Sequence, residues 1–172
     1  FTDLLDKIFN HLEIKALLVA DKVHYRKFQA DRVRGRVYLS EQLVKCENVK
    51  MQAFGGDFQV TGGIEQFDSP VHRLYASGQI SNADVQEVFY AFDNFGQNTI
   101  SDRNLSGSLS TTFSYSSRLK NDFSILPNTM NGQLSLEISN GELNHFEPLK
   151  RIQKILFKRR DFDNVRFENL KN

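Results

Sequence analysis

The amino-acid sequence predicts a mainly β protein with a few helices, its strands laid out as one long antiparallel sheet. Three observations carry this. From about Ile14 to Ile80 no helical period of apolar residues is sustained, whereas short period-two runs recur between glycines or polar pairs. Further on, Leu105, Gly107, Leu109, Thr111, Phe113 and Tyr115 alternate with a Ser-rich opposite side. Two tight-turn signals, Gly55-Gly56 and Asn140-Gly141, sit inside such runs, where a hairpin needs residues that tolerate positive φ.

In chain order, a first helix is expected from a Thr2 cap, Asp3 in the first turn and a stripe of Leu4, Leu5, Ile8, Phe9 and Leu12. Strands follow. In the segment Val49 to Ile64, taking Gly55-Gly56 as the loop puts Ala53 opposite Phe58 and Met51 opposite Val60. Ser81 or Asn82 can then cap a helix carrying Val85, Val88, Phe89 and Phe92, ending near Asn94 to Gly96. With Asn140-Gly141 as a type I′ turn, Ile138 pairs with Leu143 and Leu136 with His145. Leu134, Leu136 and Ile138 then share one side, and Gln133, Ser135 and Glu137 the other. A last helix is expected over residues 148–159, with Pro148 in its first turn and Leu149, Ile152, Ile155 and Leu156 as its stripe. Val165, Phe167 and Leu170 close the chain as a strand.

An apolar-x-Gly-x-apolar pattern appears at Val33–Val37, Val60–Ile64, Leu105–Leu109 and Met130–Leu134, without a fixed period. A glycine on the apolar side of a strand removes a side chain where the sheet bends or another backbone comes close. The repetition suggests a long sheet that curves, or glycine tolerated near strand starts.

Composition narrows the classes of function. Hydrophobic residues are 40% and charged residues 25% of the chain, ordinary globular usage that argues against disorder over most of its length. A formal net charge of +1 argues against a dedicated nucleic-acid binder. Cys46 is the single cysteine, which excludes an internal disulfide and a cysteine-built zinc site. The 15 Phe suit a core or an apolar binding surface and do not choose between them. Phe1 stands where an initiator Met would, and no signal peptide or long apolar run is seen, so the chain is expected to be a piece of a longer protein.

No constellation for catalysis emerges. His11, His24, His72 and His145 are scattered without metal-ligand spacing. Asp161 and Asp163 could share a strand face, but beside Arg159, Arg160 and Arg166 they read as a solvated charge cluster. Ser106-Gly107-Ser108 lies inside a period-two strand and lacks the strand-to-helix turn of a nucleophile elbow. No enzymatic activity, cofactor or metal is expected. The last helix carries Lys150, Arg151, Lys154, Lys158, Arg159 and Arg160 around its stripe. Such a helix, from Pro148 to Arg160, can lie on an anionic membrane surface. Packing on the sheet with a solvated basic side is the reading favoured.

The last third of the chain resembles the C-terminal region of the AsmA family, envelope proteins of bacteria with two membranes. The resemblance rests on Leu105-Ser-Gly-Ser-Leu, Met130-Asn-Gly-Gln-Leu-Ser-Leu, Asn140-Gly-Glu-Leu-Asn, Phe146-Glu-Pro-Leu and Val165-Arg-Phe-Glu-Asn-Leu, in that order. Val33-Arg-Gly-Arg-Val-Tyr-Leu and Phe54-Gly-Gly-Asp-Phe look like the β repeats that precede it. On this resemblance, residues 1–172 are one β-rich fragment. Its residues 1–80 are β repeats after a short helix, and 81–172 are the start of the AsmA-like region. The resemblance implies a periplasmic, curved, taco-like β-groove with an apolar inner face partly covered by amphipathic helices. It also implies attachment to the inner membrane through a segment absent from this chain, and no catalytic residues.

The function expected is therefore binding of phospholipid or another acyl-chain ligand, within phospholipid transfer between membranes or outer-membrane maintenance. The alternative is a non-catalytic structural or protein-interaction module of the cell envelope. Candidate lipid-facing residues are Val37, Leu39, Met51, Phe58, Val60, Leu109, Phe113, Leu134, Leu136 and Ile138. An uncovered apolar sheet face usually marks a binding surface, whereas a covered one is simply a core.

Overall fold

The computed structural model describes residues 13–40, 42–66, 71–144 and 164–171. They form eight strands: β1 (Ile14–Tyr25), β2 (Phe28–Ser40), β3 (Leu43–Ala53), β4 (Gly56–Gln66), β5 (Val71–Asp84), β6 (Leu105–Lys120), β7 (Ile125–Asn144) and β8 (Asn164–Lys171). All lie in one sheet in sequence order, each antiparallel to the next. β1 and β8 are its two edges and do not pair with each other among the described residues, so the sheet is open. Helix α1 (Val85–Ala91) and a 3₁₀ turn (Asp93–Gly96) join β5 to β6. The mainly β, antiparallel expectation holds. The helices expected over residues 2–12 and 148–160, with His11, His145, Asp161 and Asp163, lie outside the described residues.

Both expected glycine turns are corrected. In the β3–β4 connection the left-handed pair is Phe54 (φ 53°) and Gly55 (φ 72°), as a type I′ turn requires. Ala53 therefore pairs with Gly56, Met51 with Phe58 and Val49 with Val60, so each strand partner is two residues from the one expected. Gly56 belongs to the ladder for a different reason: a Cβ there would stand 2.5 Å from the Ser81 carbonyl oxygen on β5. A left-handed phenylalanine costs about 1–2 kcal/mol. The Phe54 ring offsets that strain by packing edge-on against Phe28 at 5.6 Å and Phe58 at 6.0 Å.

Asn140-Gly141 is not a hairpin. β7 runs through it, with Ile138 paired to Leu109 on one side and Leu170 on the other. Leu143 pairs with Leu105, and Leu136 with Thr111. Asn140 still has φ 51°, because the left-handed backbone that suits a turn also suits a bulge. The register of β6 against β7 shifts at this level, between Ser106 and Ser108. Gly107, at φ 131°, fits there because a Cβ would lie 2.9 Å from Gly141 Cα.

Bulges recur along the sheet and set which residues share a side. Register shifts fall beside Arg32, Asn48 and Asn82, each with φ between 50° and 56°. Each extra residue lets apolar positions three apart, such as Ala30 and Val33 or Ile80 and Ala83, return to one side. The displaced amides find neighbouring hydroxyls: Asn48 N–H donates to Thr61 Oγ1 at 3.0 Å, and Asn82 N–H to Ser110 Oγ at 3.2 Å. At a further shift, Arg118 N–H donates to Thr129 Oγ1 at 2.8 Å. Serine and threonine on the polar strand positions thus satisfy groups that the ladder leaves open.

The buried cluster sits at the end of the sheet where α1 packs. Val85 and Val88 of α1 belong to one cluster with Ala30, Val33, Ala53, Phe58, Ala83, Leu105, Leu109 and Ile138. Fully burying an apolar side chain of this size contributes about 1.5–3 kcal/mol. Phe92, after α1, lies 6.5 Å from Phe54, and Lys27 in the β1–β2 turn bridges Asp93 at 2.6 Å. The helix stripe holds at Val85, Val88 and Phe89, but the helix ends at Ala91 and leaves Phe92 beyond it at 47% exposure. The cap is Asp84, whose carboxylate accepts from the Glu87 N–H at 3.0 Å, and not Ser81 or Asn82. Those two are still in the strand, where Ser81 pairs with Asp57 and Asn82 forms the bulge. Asp84→Ala is expected to cost about 1 kcal/mol of stability, the usual worth of such a cap, read as a lower urea midpoint.

Candidate ligand-binding site

The register groups side chains into cross-strand rows. One row runs Ala16, Val37, Cys46, Gly62, Ala76, Tyr115 and Gly132 from β1 to β7. Two positions along β4, Leu39, Val44, Ile64 and Leu74 form the next. In the other direction come Val49, Val60, Gly78, Phe113 and Leu134, then Met51, Phe58, Ile80, Thr111 and Leu136. Ala83, Leu109, Ile138 and Leu170 make a last one beyond the β5 bulge. The rows between them are polar: Lys45, Gly63, Tyr75, Ser116 and Asn131, and likewise Lys50, Gln59, Gln79, Thr112 and Ser135. Successive strand residues point to opposite sides, so the apolar rows and the polar rows part company.

All ten residues singled out in the sequence fall in the apolar rows, but their burial divides them. Phe58, Leu109 and Ile138 belong to the closed cluster beside α1, with Met51 and Leu136 packed against it and partly buried. Val37, Val60 and Phe113 are half-buried. Leu39 and Leu134 are 37% and 56% exposed. Sequence reasoning missed Val44, 47% exposed, and the whole contribution of β5. The alternation of Leu74, Ala76, Gly78 and Ile80 is the signal that could have found it.

The polar side holds a charged network. Glu47 accepts from Lys45 Nζ at 2.8 Å and from Tyr38 Oη at 3.0 Å, and Arg36 stands 3.2 Å away. The Lys45 hydrogen bond first, then that of Tyr38, holds the Glu47 carboxyl below its ordinary range. Its contribution to stability is therefore present above the usual carboxylate pKa and fades as pH falls through the lowered one.

This is an ion-pair cross-link between strands. Among the described residues no three His, Cys, Asp or Glu side chains are grouped to hold a metal ion. His24 is exposed on β1, and His72 on β5 stacks against Phe123 with ring centroids 6.0 Å apart. No helix among the described residues is long and apolar enough to cross a membrane. Comparison with protein-family models, curated proteins and solved structures found no match for this chain.

Proposed function

We propose that the chain binds phospholipid or another acyl-chain ligand along the apolar rows of its sheet. The observation that carries this reading is the extent of those rows against the cover over them. They run from β1 to β8, while among the described residues one seven-residue helix packs at one end. Leu39, Val44 and Leu134, in the rows beyond that of Phe58, keep much of their surface exposed. Acyl chains match such a surface because burial against it removes apolar area from water on both partners. The repeated bulges increase local twist, and we take the sheet to curve about this side as a groove. Val37, Leu39, Val44, Val60, Phe113 and Leu134 are the contacts assigned to the ligand. Phe58, Leu109 and Ile138 support them from the closed end.

With the resemblance to the AsmA family, this reading places the chain in the periplasm, within an inner-membrane-anchored protein of phospholipid transfer or outer-membrane maintenance. Native mass spectrometry of the chain purified from bacteria, with organic extraction, tests the binding. The expected result is a phospholipid mass on the folded protein. An apo mass that stays apo after incubation with phospholipid vesicles overturns it. A structural or interaction module is the second reading, and the outer edge of β1, unpaired among the described residues, is the feature that favours it.

A further inference from the structure

At residues 16–20 the outer edge of β1, unpaired among the described residues, has the composition of a buried strand. Among the described residues β1 pairs on one side only, with β2. Its most exposed aliphatic side chains, Leu17 at 79% and Val19 at 61%, alternate with Leu18 and share the otherwise polar side of the sheet. Lys15 and Asp21 flank them at the same period and form no ion pair among the described residues. An edge strand is usually protected by charge, proline or a bulge. Here residues 16–20 read Ala-Leu-Leu-Val-Ala without one.

We infer that a second copy of this chain pairs with it edge to edge, β1 against β1, antiparallel about a two-fold axis at Leu18. The charge pattern selects that register. Symmetric antiparallel pairing sets one residue opposite its own copy, and with Leu18 at the centre Lys15 faces the partner's Asp21 at both ends. Leu17 then faces the partner's Val19, also twice, so the two exposed apolar side chains cover each other.

Neighbouring symmetric registers lose this match. Centring on Leu17 sets Glu13 against Asp21, and centring on Val19 sets Leu17 against Asp21. Opposite charges and apolar pairs directly across an antiparallel ladder are favourable, and like charges there are not. The axis stands perpendicular to the sheet, so the apolar rows of both copies fall on the same side. Two eight-stranded sheets become one surface.

Charge reversal tests this on the intact chain, by sedimentation equilibrium at low salt with circular dichroism to verify folding. The wild type is expected to be a dimer. Lys15→Asp and Asp21→Lys, each placing like charges at both ends, are expected to raise the dimer dissociation constant at least about tenfold. The double variant, K15D with D21K, restores the opposite pairs and is expected to recover dimerisation. A wild type that stays monomeric at ~100 μM overturns the proposal. So does a dimer indifferent to the single reversals, or single variants that the double one fails to rescue. None of these outcomes depends on whether the apolar rows bind lipid.

Discussion

Replacing Phe58 by alanine is expected to lower the unfolding free energy by about 3–5 kcal/mol, the range for truncating a buried phenylalanine. Phe58 is 7% exposed and belongs to the cluster under α1. Its ring also supports Phe54 edge-on at 6.0 Å, and Phe54 holds the left-handed turn that starts β4. Truncation thus leaves a cavity and loosens a strained turn together, and β4 cannot collapse to fill the gap while it is paired on both sides.

The comparison that gives the number meaning is Leu134→Ala. Leucine 134 stands in an adjacent row, but at 56% exposure its truncation is expected to cost under about 1 kcal/mol. Urea unfolding followed by circular dichroism measures both, with an unchanged slope showing that the midpoint reports stability. Equal losses would mean that Leu134 is as well covered as Phe58, and would remove the division between closed and open ends on which the ligand assignment rests.

That division was not legible in the sequence, where Phe58 and Leu134 are both apolar members of period-two runs. What separates them is α1 and the phenylalanines around it, brought over one end of the sheet by contacts between residues far apart in the chain. The alternation in β6 and the Val85–Val88 stripe could be read directly, because each depends on a period local to its own element. Register could not. Asn140-Gly141 signals a left-handed backbone, which the structure has, yet whether that bends a chain back or bulges a continuous strand depends on β6 and β8 beside it. Phe54 taking a turn position in place of Gly56 has the same origin: Gly56 is held in the ladder by the nearness of β5, and the turn moves one residue back.

Ligand binding is expected to follow the same period of two as the side chains. Leu134→Asp and Val44→Asp place a charge among the apolar rows at positions that are 56% and 47% exposed, so folding should survive and the melting temperature should shift by no more than about 5 °C. Binding of a fluorescent fatty acid should weaken at least about tenfold, since a carboxylate brought against an acyl chain loses water without gaining a partner. Ser135→Asp and Gln59→Asp are the matching controls. Ser135 adjoins Leu134 in sequence but stands in a polar row with Gln59, so both variants should bind as the wild type does. The four variants add the same charge to one protein, which removes net charge as an explanation of any difference. If Ser135→Asp weakens binding as much as Leu134→Asp, the probe is not held on the apolar side of the sheet. If none of the four matters, the apolar rows are cover for another part of the protein, and the interaction reading takes the place of lipid binding.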